Sequence, residues 1–254
     1  MPLYTTEALI LRTYKLGEVD RIVVFLTEDR GKRRGVAQRA HGPRTRFAGA
    51  LEPMTRAGVA YFEKERRELV ALNYAEPIAS PLRAPRGGGI EYAGYFAELI
   101  DEWAPEADPN EKLYRLGCGV VDAMTHGVPI EPLARYFEYW LLRLQGVYPS
   151  TTACAGCGGP LGRDARGGAV LGAGDRHYSC PACVRPRGTR ALVLSSEAVR
   201  FIGALGGLAP VAVGQLGASE QAIRELEAAH RELIATHLEK ELKSVRVLRE
   251  LRGH

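Results

Sequence analysis

The stretch Ala8-Leu9-Ile10-Leu11-Arg12-Thr13-Tyr14-Lys15-Leu16-Gly17-Glu18-Val19-Asp20-Arg21-Ile22-Val23-Val24-Phe25-Leu26-Thr27 decides the fold. Two runs of aliphatic and β-branched residues flank a compact turn signal, Gly17 to Asp20, and such a pattern makes paired strands. A second turn signal, Glu28-Asp29-Arg30-Gly31, follows at once, and strand-like runs recur at Gly35 to Gln38, Gly58 to Phe62 and Glu68 to Tyr74. Five short strands in residues 1–80 suit one small barrel. A five-stranded barrel of the oligonucleotide-binding (OB) type fits, with an SH3-like barrel as the competing arrangement.

Beyond the barrel the pattern changes. Pro77, Pro81, Pro85 and the triple glycine Gly87 to Gly89 are breakers that mark a boundary. Apolar residues at helical spacing follow at Ile90 to Trp103 and Glu111 to Thr125, with Pro105 and Pro109 as stops between them. After Pro132, Leu133, Phe137, Trp140, Leu141 and Leu144 lie on one helical face that Gly146 ends. Near the end, Ser196 is positioned to cap one helix and Ser219 a longer one, whose stripe is Ile223, Leu226, Leu233, Leu238, Leu242 and Val245. The chain therefore reads as α+β and multidomain. Residues 1–80 form the barrel, 81–150 the first part of a helical domain, 151–190 a zinc finger, and 191–254 the rest of the helical domain.

The module at 151–190 rests on Cys154-Ala-Gly-Cys157 and Cys180-Pro-Ala-Cys183, with 22 residues between the inner cysteines. Two such turns aim four thiolates at one ion, and a closed shell of four sulfurs leaves no position for a reacting water. One structural Zn2+ is the expected cofactor; iron fits the same spacing. The intervening stretch is glycine-rich and poor in apolar residues, so it depends on such a staple, and a loose hairpin with Gly172 to Gly174 at its tip is expected. His177 lies near enough in sequence to be a substitute ligand, although a loop histidine beside a zinc site is more often a bystander. Cys118, the fifth cysteine, sits in an apolar stretch and reads as a buried, inert thiol.

The chain has 254 residues, 46% of them hydrophobic, enough to bury a sizeable core, and a formal net charge of +4 that hides a partition. Lys and Arg against Asp and Glu count 16 to 10 in residues 1–86, 4 to 10 in 87–149, 6 to 2 in 150–190 and 8 to 8 in 191–254. From Arg30 to Leu51 there are seven basic residues and no acidic one. Within a barrel, Lys32, Arg33, Arg34, Arg39, Arg44 and Arg46 are candidate DNA-binding residues, joined by Arg12, Lys15 and Arg56, with Phe47 and Tyr14 as rings for base stacking. A merely solvated charge run is the competing reading.

Other chemistries lack their motifs. Neither a phosphate-binding Gly-x-x-x-x-Gly-Lys-Ser/Thr loop nor Gly-x-Ser-x-Gly is present. His230-Arg231-Glu232 lies downstream of the cysteines, the wrong order for a zinc deaminase. Asp101, Glu102, Glu106 and Asp108 suit a solvated helix end better than a magnesium site. The N-terminus has no basic region before an apolar run, and no stretch is long and apolar enough to span a membrane. A cytoplasmic protein is expected, without an enzymatic active site.

Taken in order, Ala8 to Tyr14, Gly17 to Arg21, Phe25 to Lys32, Gly49-Ala50-Leu51-Glu52-Pro53, Tyr136-Phe137-Glu138 with Leu141-Leu142, Gly146-Val147-Tyr148-Pro149 and Lys243-Ser244 resemble the RecO family of bacterial recombination mediators. The resemblance implies an N-terminal OB barrel, a helical domain and an inserted zinc finger, with no turnover and a nucleoid-associated location. It implies binding of single- and double-stranded DNA, annealing of complementary strands, and a complex with the ring protein RecR. That complex helps load recombinase onto strands coated by single-stranded-DNA-binding protein. Some relatives bind the acidic, apolar tail of that protein on the helical domain, a role for which Arg135 or Arg143 beside Trp140 is the expectation here. Where many relatives carry a Lys-Gly stretch before the basic loop, this chain has Ala37-Gln38-Arg39-Ala40-His41-Gly42. An RNA-binding barrel protein of translation or ribosome assembly and a metal-dependent nuclease are the competing functions.

Overall fold

A computed structural model describes residues 2–40, 45–63, 68–85, 89–162, 168–172, 174–184 and 191–252. Strand β1 (Leu3–Leu16) pairs antiparallel with β2 (Asp20–Thr27), and β2 with β3 (Gly31–Ala37). β3 runs parallel to β5 (Leu69–Ala79), which is antiparallel to β4 (Arg56–Phe62), and β4 returns to β1. The closed order β1-β2-β3-β5-β4, with its single parallel pairing, is the OB arrangement, one of the two barrels that the strand and turn pattern allowed.

Alternation along the strands puts Ala8, Ile10, Val23, Phe25, Val59 and Tyr61 inside the barrel. The run Ala8 to Leu11 is buried on both sides of β1, and a register shift between Ile10 and Arg12 follows it. The outward side chains Leu9 and Leu11 meet helices: β1 packs on α1 (Ile90–Trp103) and on α2 (Glu111–Thr125), where Leu9 lies against Gly117. Both helices have the bounds that their apolar spacing predicted, and Asn110 caps α2 by accepting the Leu113 N–H at 3.1 Å.

The chain divides into two compact units, Met1–Gly127 with Lys243–His254, and Val128–Leu242. The helical segments thus do not gather into one body: α1 and α2 belong with the barrel. The second unit holds α3 (Ile130–Leu144), the cysteine turns, a two-stranded sheet of β6 (Ala169–Leu171) and β7 (Leu192–Leu194), α4 (Ser196–Leu205) and α5 (Glu220–Leu238). No helix among the described residues is long and apolar enough to cross a membrane.

Three helix expectations need correction. Helix α3 starts at Ile130, two residues before Pro132, because a proline is accommodated in a first turn whose N–H groups have no intrahelical partner. Ser195, not Ser196, caps α4, its Oγ accepting from Ala198 N at 3.2 Å. The long terminal helix is two helices. Glu239, at φ 55°, ends α5, and α6 (Lys243–Arg252) packs instead on α1 of the first unit. There the Glu98 carboxylate accepts from the backbone N–H groups of Lys243 (3.2 Å) and Ser244 (2.8 Å), the anion that a helix N-terminus favours. Burial alone would raise the Glu98 pKa, but the hydrogen bonds from Ser244 and Lys243 hold it below the ordinary carboxylate value.

Candidate nucleic-acid interface and metal centre

Four sulfur ligands at about 2.3 Å from one tetrahedral ion stand about 3.8 Å apart. Cys157 Sγ and Cys180 Sγ are 3.9 Å apart, and the sulfurs of Cys154, Cys157, Cys180 and Cys183 all lie within 4.8 Å of one another, so the four predicted ligands come close enough to hold a metal ion. The turns are built for it. Backbone N–H groups of Gly156 (3.3 Å) and Cys180 (3.1 Å) donate to Cys154 Sγ. A Cβ at Gly156 would stand 2.9 Å from the Cys183 Cβ, so the first turn passes too close to the second for any side chain. The Cys180 amide, followed by those of Cys157 and Gly156, draws the Cys154 thiol down to about 6 against the raising effect of its burial. Crowding by the other three thiols pushes Cys183 up to about 12, and a cation is what would let the whole set ionise. His177 is exposed and outside this cluster. Two-way backbone hydrogen bonds between Val170 and Ser179 (2.8 and 3.0 Å), with Asp175 N donating to Gly172 O, make the expected hairpin; Ala173 at its tip lies outside the described residues. Cys118 is set apart, its thiol raised to about 11 by burial.

On the barrel, the period of two splits the basic run. Register aligns Arg12 with Val24 and Val24 with Arg34, one row across β1, β2 and β3; the next row is Tyr14, Ile22 and Val36, and the preceding one ends in Leu26 and Lys32. Lys32 and Arg34 therefore share a face with Arg12, whereas Arg33, opposite the core residue Phe25, faces the other way and meets Glu63 at 3.3 Å. On the shared face Tyr14 is 46% exposed, beside Arg12, whose Nη1 donates to its hydroxyl at 3.2 Å.

Lys32 is a correction to the expected DNA-binding set. It is only 7% exposed, and its ammonium is taken up by the backbone carbonyl of Asp101 (2.6 Å) and the Asp101 carboxylate (3.1 Å). Phe47 is a second correction: it is buried in the barrel core and offers no ring to a base. Alternation in a loop cannot be read from sequence as it can in a strand, and nothing in the Arg30 to Leu51 stretch distinguished a core phenylalanine from a stacking one. Arg56 bridges Glu7 (3.2 Å) and Asp122 (3.6 Å), joining the barrel to α2. Arg46 donates to the Asn73 side chain at 3.0 Å, and the Arg39 backbone N–H, at φ 53°, to Asp20 at 2.8 Å. Among the described residues no carboxylate comes within ion-pair distance of Lys15, Arg39 or Arg46. Arg44 lies outside the described residues.

In the second unit Arg135 is not a docking residue. Its side chain is 1% exposed, with Nη2 donating to Glu138 at 2.8 Å and Nη1 3.6 Å from Glu227. Glu138 also meets His230 Nδ1 at 2.9 Å, and His230 Nε2 meets the Tyr148 hydroxyl at 2.9 Å. Burial, opposed by the hydrogen bond to Glu138, lowers the His230 pKa. Trp140 and Arg143 do stand together at the surface. The Arg143 guanidinium is 5.7 Å from the Trp140 ring centre and donates to the Tyr139 hydroxyl at 2.9 Å.

Comparison with known proteins accounts for both units. The family model described as "Recombination protein O N terminal" matches residues 1–81, and "Recombination protein O C terminal" matches residues 90–246. The chain belongs to the RecO family. A protein named DNA repair protein RecO from Anaeromyxobacter sp. (strain K) is 35% identical, over 95% of this chain and 94% of its own length. One of the same name from Geobacter metallireducens is 33% identical over 97% of both. A third, from Koribacter versatilis, is 39% identical over 61% of this chain and 64% of its own.

In this RecO-family chain several of the residues that carried the resemblance take part in polar contacts within the fold. Glu138 of Tyr136-Phe137-Glu138 and Tyr148 of Gly146-Val147-Tyr148-Pro149 meet at His230, and Lys243-Ser244 supplies the two amides that Glu98 binds. Sequence reasoning missed Glu98, Glu138 and His230. The available signal was a charged or imidazole side chain in the apolar stripe of a helix, for His230 between Leu226 and Leu233.

Proposed function

We propose that this protein is a DNA-binding recombination mediator of the RecO type, acting in DNA repair without enzymatic turnover. It binds single- and double-stranded DNA, anneals complementary strands and, with RecR, loads recombinase onto strands coated by single-stranded-DNA-binding protein, in the cytoplasm at the nucleoid. The observation that carries this reading is the outer face of β1, β2 and β3. Arg12 and Arg34 stand in one row beside exposed Tyr14 on an OB barrel, in a chain whose full-length relatives are named DNA repair proteins. Guanidinium groups neutralise phosphates and an aromatic ring stacks a base, so such a face holds a strand with little sequence preference. Lys15, Arg39 and Arg46, without carboxylate partners among the described residues, extend the cationic surface. Trp140 with Arg143 is the place for the acidic, apolar tail of single-stranded-DNA-binding protein. The metal is a structural Zn2+, since a closed four-thiolate cage suits it and leaves no open coordination position.

The test follows annealing of two complementary fluorescent oligonucleotides, both precoated with single-stranded-DNA-binding protein, without nucleotide. Acceleration by the protein is the expected result. No acceleration, with RNA preferred over DNA of the same sequence, would replace this reading with RNA binding.

A further inference from the structure

The acidic segment between α1 and α2 lies on the barrel's cationic face, and it is fastened there by backbone. Glu106 bridges in parallel to Lys32, and Ala107 N donates to Lys32 O at 3.0 Å. β5 pairs with β3 only from Arg34 onward, so the segment takes the edge of β3 that β5 leaves open. Gly31, at φ 67°, makes this approach possible, because a Cβ there would collide with the Asp108 backbone. Two carboxylates reach the two arginines of the row: Asp101, in the last turn of α1, lies 3.5 Å from Arg12, and Glu106, in the segment itself, 2.9 Å from Arg34 Nη2 and 3.1 Å from its Nε. The two contacts differ in exposure. Asp101 is 14% exposed and holds buried Lys32 at 3.1 Å, whereas the Arg34 and Glu106 side chains are 54% and 50% exposed and Glu106 stands 3.7 Å from Lys32.

We propose that Glu106 is a built-in competitor of DNA: in the free protein its carboxylate occupies Arg34 as a phosphate would, and a bound strand must displace it. This regulation of the face rests on the DNA-binding reading above. Asp101 stays in place as part of the fold, and Glu106 is the exchangeable group. It sets a threshold that a strand overcomes by offering several phosphates and a stacked base together, while a lone anion does not.

The experiment measures equilibrium binding of a fluorescein-labelled thymidine oligonucleotide by anisotropy. Glu106→Gln should bind about two- to fivefold more tightly than wild type, the range that releasing one half-exposed ion pair allows. The gain should shrink as salt rises. Glu106→Asp, which keeps the charge but draws the carboxylate back by one methylene, should give part of the gain. Glu111→Gln is the control, an equal charge change at an exposed residue whose partner is Arg115. In an Arg34→Gln background the Glu106→Gln gain should vanish. Equal affinities for wild type and Glu106→Gln, an equal gain from Glu111→Gln, or a gain that persists without Arg34 overturns the proposal while leaving DNA binding intact. A wild-type protein that binds no oligonucleotide overturns both.

Discussion

Arg34 with Glu106 and Arg135 with Glu138 are the same chemical pair at nearly the same length, 2.9 and 2.8 Å, in opposite surroundings. The first joins side chains that are half in water; the second joins side chains 1% and 0% exposed, with His230 and Tyr148 continuing the chain of hydrogen bonds. Water screens and replaces the first pair, so breaking it costs little and another anion can take over. Nothing replaces the second, so losing one partner strands a charge in the interior. Of two arginines singled out for binding, burial leaves one available and commits the other to the fold.

The largest expected contrast comes from the metal. Structural zinc contributes apparent free energies on the order of 10 kcal/mol in small modules that cannot fold without it. A chelator, or Cys154→Ser with Cys180→Ser, should therefore lower the unfolding temperature more than the loss of either ion pair. The barrel carries its own closed core, so oligonucleotide binding at room temperature should survive. Loss of DNA binding in step with loss of metal would break this division between the two units.

Next in size is Arg135→Ala. Removing the guanidinium leaves the buried Glu138 carboxylate hydrogen-bonded to His230 but without the cation that balances it, which should cost about 3–5 kcal/mol of unfolding free energy, measured by denaturant titration. If the cost stays below about 1 kcal/mol, as for a surface pair, the contrast with Arg34 is lost.

How much of this was legible in advance followed from which regularities are local. The bounds of α1 and α2, the five strands and the four sulfur ligands each depend on spacing within a short window, and all were readable. The role of a basic residue depends on which side of a strand it takes and what arrives from elsewhere. Lys32, Arg33 and Arg34 are adjacent in sequence yet have three fates: buried against Asp101, turned to Glu63, and half exposed beside Glu106. The carboxylate and carbonyl that capture Lys32 belong to Asp101 at the end of α1, some 70 residues away, and no local pattern announces them. The same holds for α5 and α6, whose apolar stripe runs on through Leu242 and Val245 while the backbone turns at Glu239, because the cap for α6 sits on α1.

The smallest effect on the fold, and the sharpest separation of fold from function, belongs to Arg34→Gln. Its partner is half exposed and its strand neighbours Arg33 and Gly35 keep their pairing to β2, so unfolding free energy should change by less than about 1 kcal/mol. DNA affinity should fall nonetheless, and the slope of log affinity against log salt should flatten by nearly one unit, because one phosphate contact and its released counterion are gone. Arg33→Gln separates the two faces of β3: turned toward Glu63, Arg33 should leave that slope unchanged. If both substitutions flatten it equally, the strand passes over both faces of β3, and the row of Arg12, Val24 and Arg34 is not the surface that holds it.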